Sequence, residues 1–195
     1  MIDSKKIIAV LCIKNNYDWD KIFMDIKNKE RSVFEEDEKL LEGKKFITIL
    51  DDNYPKILKQ TYKPPFMLNY EGDIKWLKKA NDLVFVSGKS KVINIPVEKT
   101  IYVEKVEGKY FISIGGKLRI WWDNEGNYSY GFAMLLANKI LITELENEEE
   151  FLANAIMLSS DFDKDIFVIP SDIGSMNNNL IKNGATLVET INDLH

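Results

Sequence analysis

The run Ser87-Gly88-Lys89-Ser90-Lys91 follows an apolar stretch, LVFV, and combines small residues with two cations. Small residues at a strand end leave backbone N–H groups open to an anion, and lysine adds a point charge for a phosphate. The same residues would equally make a solvated turn. A second group lies further on, where Lys99, Lys105, Lys109, Lys117 and Arg119 alternate with Tyr102, Tyr110, Phe111, Trp121 and Trp122. Cations interleaved with aromatics on strands can form a stacking platform for single-stranded nucleic acid. Such alternation can also simply divide a wet face from a core face. Adjacent strand residues point to opposite faces, so Trp121 and Trp122 cannot both enter one core, and one is expected to line a groove or a dimer contact. The nucleic-acid-binding set is therefore read as Ser87, Gly88, Lys89, Lys91, Lys117, Arg119 and Trp122. Asp172, Asn178 and Lys182 form a third candidate, either a ligand edge or a turn with a helix cap.

Other chemistries have no residues to carry them. One cysteine, Cys12, rules out an internal disulfide framework, and with His195 as the one histidine a structural zinc site has too few ligands. Asp51 and Asp52 are paired carboxylates without a neighbouring base, so they read as turn formers. Glu144 reads as a strand-end residue. No nucleophile–base pair, P-loop or complete dinucleotide fingerprint is present, and neither an enzyme nor a cofactor is expected. The apolar N-terminal run IIAVLCI is too short to span a membrane, and a cytoplasmic chain is expected.

Charge is unevenly spread. Residues 1–82 carry a net +1, residues 83–139 a net +3, and residues 140–195 a net −9, within an overall −5. Phosphate binding depends on cations, so a nucleic-acid face belongs in the first two thirds. Arginine occurs only at positions 31 and 119, which leaves few planar forks for phosphates.

The elements that must position these groups are legible in outline. Apolar residues at helical spacing fill residues 1–43, a helical N-terminal region, and Gly43 is a plausible stop. Residues 46–73 read as a strand, an acidic turn, a short helix opened at Pro55, an extended Pro64-Pro65 approach and a second strand ending at Gly72. Strands are expected at 83–88, 101–106, 109–114 and 117–123, with turns at Gly108, Gly115-Gly116 and 124–126. A helix is expected from Ser129, buried strands at 139–145 and 165–170, an amphipathic helix at 148–160, and a short helix and strand at the end. Strand–helix alternation argues for an α/β fold, with a mostly parallel Rossmann-like sheet over residues 44–195.

Three segments resemble the DNA-processing protein A (DprA, or Smf) family in the family's order: residues 46–73, LVFVSGK at 83–89, and 140–188 with FVIPSDIG and NNLIKNGATLV. The resemblance covers about half of the chain and identifies it as a shortened, divergent member. It implies a non-enzymatic protein with an extended Rossmann domain that binds single-stranded DNA, forms a homodimer and helps to load a RecA-type recombinase. The match is incomplete where the family grips phosphate. Lys89 stands where the family has arginine, Ser129-Tyr130-Gly131 replaces a basic run, residues 147–150 replace a small Ser-Gly turn, and Ser171 replaces glycine. Two alternatives follow from those losses: a scaffold or interaction domain that no longer binds DNA, and a Rossmann-like domain that binds a nucleotide-type ligand.

Overall fold

The computed structural model describes residues 3–28, 35–87, 93–123, 128–143, 157, 160–172 and 174–194. Among them nine strands form one sheet in the order β1-β2-β6-β5-β4-β3-β7-β8-β9. They are β1 Phe46–Thr48, β2 Met67–Gly72, β3 Val84–Val86, β4 Thr100–Val106, β5 Lys109–Ile114, β6 Leu118–Trp121, β7 Lys139–Ile142, β8 Ile166–Val168 and β9 Thr186–Leu187. The helices are α1 Ser4–Lys14, α2 Trp19–Asn28, α3 Lys56–Lys59, α4 Trp76–Lys79, α5 Ser129–Leu136 and α6 Met176–Lys182. No helix among the described residues is long and apolar enough to cross a membrane. The helix expected at 148–160 and the turn at 124–126 fall largely or wholly outside the described residues.

The α/β class holds, while the mostly parallel sheet is corrected. The β3–β4, β3–β7, β7–β8 and β8–β9 pairings are parallel, and the other four are antiparallel. For β4–β5 and β5–β6 the reason is loop length. A parallel neighbour needs a long crossover, whereas β4, β5 and β6 are joined by tight turns that permit only antiparallel pairing. Glu107 and Gly108 both take left-handed backbone (φ 50° and 83°), the geometry of a two-residue hairpin that matches strand twist.

Register assigns the two faces. Ile101, Val103, Ile112, Ile114, Leu118 and Ile120 share one face and meet α5, with Leu58, Phe85 and Met134, in the main core. On the opposite face α1 covers β1 and β2 through Ala9, Cys12 and Met67. Leu141, Phe167 and Val188 form a separate cluster with Ile93 on the parallel half. Between these two coverings the face of β4, β5 and β6 carries half-buried Tyr102, Phe111 and Trp121.

The 46–73 segment folds as its punctuation suggests. Asp51 Oδ2 accepts hydrogen bonds from Thr48 N and Oγ1, both at 2.8 Å, and closes the turn after β1. Pro55 caps α3 rather than occupying its first position. Tyr54 is buried and its hydroxyl donates to the Pro65 carbonyl at 2.6 Å, tying the turn to the approach of β2. Gly72 ends β2 at φ 95°, where a Cβ would lie 2.1 Å from the Lys117 carbonyl oxygen, so glycine is required.

Candidate nucleic-acid interface

The parallel strands fix a common direction, and their carboxyl end gathers Ser87 after β3, Thr143 after β7 and the 169–172 turn after β8. Open α/β sheets bind ligands outside this end. Ser87 N–H donates to Leu141 O at 3.1 Å, and Ser87 Oγ accepts from Thr143 N–H at 3.0 Å, which locks the two strand ends together. Asn177, in the first turn of α6, donates its amide to the carbonyls of Thr143 and Ile169, the latter at 2.8 Å. Thr143 and Asn177 are each 2% exposed. The Thr143 hydroxyl is buried there without a hydrogen-bond partner. Sequence reasoning singled out neither residue. The Ser175-Met-Asn-Asn-Asn run signals a helix start, but nothing local distinguishes the asparagine that turns inward.

Gly88, Lys89 and Lys91, the centre of the expected phosphate site, lie outside the described residues. Asp172 and Asn178 are brought together. Asn178 Oδ1 accepts from Ser171 N at 3.3 Å, and its amide donates to the Ser171 and Asp172 carbonyls at 2.9 Å each. That is a clamp on the 171–172 turn, while Ser175 caps α6 by accepting from Asn178 N. Lys182 sits exposed in the last turn of the same helix, away from the clamp.

The strand candidates separate. Ile114 pairs with Ile101, Leu118 pairs with Ile114, and Thr100 pairs with Val84, so Lys117 occupies a turn at the amino end of the sheet. It is thus at the opposite end from Ser87, because alternation along a strand reveals faces but not ends. Arg119 is exposed, and its Nε lies 2.6 Å from Glu104 Oε1, so its charge is already paired. Trp122 is buried in the main core, tilted against Phe132 with centroids 4.9 Å apart. Trp121, by contrast, is half-buried on the other face in a T-shaped contact with Phe111 at 5.3 Å.

Residues that sequence reasoning placed only within the alternating run take over the carboxyl end. By the offset of the β3–β4 pairing, Ser87 stands level with Val103, so the β4–β5 hairpin continues three residues past it, roughly 10 Å. This projecting hairpin carries Lys105, whose ammonium stands 4.9 Å from the Tyr110 ring centroid, and exposed Lys109. Tyr110 meets Tyr130 of α5 edge-on at 6.4 Å. Tyr128, at the start of α5, is 65% exposed and stacks on Phe132 at 6.1 Å. Lys164, whose pKa burial lowers, is not part of this end: it donates to the Ala137 carbonyl behind α5. No cluster of three or more potential metal ligands occurs among the described residues.

No family model and no curated protein matches the chain. Solved structures do match. DNA processing protein A from Streptococcus pneumoniae superposes with a TM-score of 0.61 at 18% identity, over 98% of this chain and 92% of that one. DNA processing protein A from Helicobacter pylori, described by its single-stranded DNA binding mode, superposes with a TM-score of 0.52 at 12% identity, over 77% of this chain and 94% of that one. At these identities the likeness is one of backbone architecture, and the chain is DprA-like in its fold.

Proposed function

We propose that this chain is a non-enzymatic DprA-like DNA-processing protein that binds single-stranded DNA at the carboxyl end of its sheet. The observation that carries the reading is the β4–β5 hairpin, which sets Lys105, Lys109, Tyr110 and, through α5, Tyr130 at the same end as Ser87. Lysines there meet phosphates, and the tyrosines offer stacking faces to unpaired bases. Gly88, Lys89 and Lys91 belong to the binding set in this reading, and Asp172, at the same end, is an acidic group the strand has to avoid. Recombinase loading and homodimer formation belong to it as downstream steps.

Fluorescence anisotropy of a labelled oligonucleotide, titrated with protein at low salt, tests the reading. Wild type is expected to bind, and the Lys105→Ala/Lys109→Ala pair to weaken binding about tenfold, in line with two phosphate contacts. Log affinity against log salt should have a slope shallower by about 1.4 in the pair, since each phosphate contact on a single strand contributes about 0.7. Absence of binding by wild type at low salt refutes the proposal. The Arg119–Glu104 pair and the −9 charge of residues 140–195 favour a second reading, a scaffold that has lost DNA. A stable protein partner purified without nucleic acid distinguishes it.

A further inference from the structure

A cavity of about 570 Å³ lies away from Ser87 and Thr143, between the α1–α2 turn and the antiparallel half of the sheet. It is lined by Asn69 and Glu71 of β2 and Trp121 of β6, by Asn16 and Tyr17, by Lys44 and Lys45, and by Lys109 and Asp123. Its size falls within the roughly 300–1,000 Å³ of small-molecule sites. Unlike the cavity of about 100 Å³ beneath Trp19 and Phe66, whose lining is mainly apolar and aromatic, it is lined largely by polar and charged groups.

Three features give it a specific chemistry. Trp121 is a large aromatic surface at the wall of an open cavity, held in place by Phe111. Asn69 is a buried amide in the lining (4% exposed), and its Nδ2 donates to the Tyr17 hydroxyl at 3.2 Å. Tyr17 is held there by an uncommon backbone: Asn16 and Tyr17 are consecutive non-glycine residues at φ 49° and 60°. A bulky residue in that region is strained, and such strain concentrates where geometry serves a ligand. Exposed Lys44, Lys45 and Lys109 add three cations to the lining. The two carboxylates, Glu71 and Asp123, are acceptors of the kind that take base N–H groups.

We infer that this cavity binds a nucleotide, with the base against Trp121, its edge toward Asn69 and Tyr17, and the phosphate at Lys44 and Lys45. The nucleotide is either free or one unit of a single strand; the strand form rests on the function proposed above, and the free form does not. The site lies on the face covered by α1, opposite the face that carries Lys105 and Tyr110, and of the residues named for the hairpin end it shares Lys109 alone.

The test uses the full chain with three probes: dAMP, inorganic phosphate and a labelled oligo(dA). Lys44→Ser/Lys45→Ser changes exposed side chains only, so folding is expected to survive, and Trp121→Leu removes the aromatic surface. Binding of dAMP that the lysine pair weakens about tenfold, with phosphate alone at least tenfold weaker than dAMP, supports the inference for a free nucleotide. Oligo(dA) binding weakened by both variants, with no dAMP binding, supports the strand form. Oligo(dA) binding that depends on Lys105 and is unchanged in both variants overturns the pocket and leaves the proposed function standing. Binding of neither dAMP nor oligo(dA) overturns both.

Discussion

Replacing Asn177 by alanine should unfold this protein more readily than replacing Asn178, although Asn178 makes more hydrogen bonds. Asn178 makes three, all to the partly solvated 171–172 turn. Asn177 makes two, both to carbonyls at the buried ends of β7 and β8. Removing a donor from an exposed carbonyl lets water replace it, at a net loss of about 0–1 kcal/mol. Removing it from a buried carbonyl leaves an acceptor without solvent, at about 1–3 kcal/mol each, so Asn177→Ala is expected to cost about 2–4 kcal/mol after partial relaxation. Urea unfolding followed by both circular dichroism and tryptophan fluorescence gives the comparison, provided the two probes coincide and the slope with urea is unchanged. The midpoint should fall clearly for Asn177→Ala and little for Asn178→Ala. Equal losses, or a larger one for Asn178→Ala, would refute the argument that burial outweighs bond number at this end of the sheet.

Gly72→Ala combines a left-handed backbone with a collision against the Lys117 carbonyl, and a loss of about 3 kcal/mol is expected in the same assay, against about 1 kcal/mol for Gly108→Ala, whose added Cβ meets nothing within 4 Å. Tyr54→Phe strands the Pro65 carbonyl in the core and should cost about 1–2 kcal/mol, whereas Tyr62→Phe, at a position 92% exposed, should leave the urea midpoint unmoved. Burial pushes the Asp51 carboxyl up, but hydrogen bonds from Lys5 and from Thr48 outweigh it and hold its pKa below the ordinary carboxylate value. Its stabilisation is thus present above about pH 4, the unfolded value, and is lost as pH falls through the lower folded value. The stability gap between wild type and Asp51→Asn, measured by urea unfolding from pH 7 down to pH 3, should therefore narrow towards the acid end; a gap that widens would reverse the sign.

What could be read from sequence was local. Asp51, Pro55 and Pro64-Pro65 act through their own backbone or the next few residues, so strand, turn and short helix follow in the expected order. Gly72 was recognisable as a stop, but the carbonyl that makes it obligatory belongs to Lys117, in the turn just before the strand paired with its own. The mostly parallel sheet failed for the same reason: similar apolar strands serve either orientation, and the hairpins decide. Alternation correctly set Trp121 and Trp122 on opposite faces without saying which face α5 covers. Arg119 looked available because Glu104 lies two strands away in the sheet and fifteen positions away in sequence.

These placements change what kind of interface the proposed DNA site has to be. With Arg119 paired, Lys117 at the far end and Trp122 in the core, the described cations left at the carboxyl end of the hairpin are few, Lys105 and Lys109, and the first lies over the Tyr110 ring. Two phosphate contacts give a modest salt dependence, whereas stacking on Tyr110, Tyr130 and Tyr128 is worth about 1–3 kcal/mol per base and is barely screened. Duplex DNA offers the same phosphates with its bases already stacked on one another. An interface built this way therefore selects single strands through bases rather than through charge, and its preference over duplex should grow as salt rises and the lysine contribution fades.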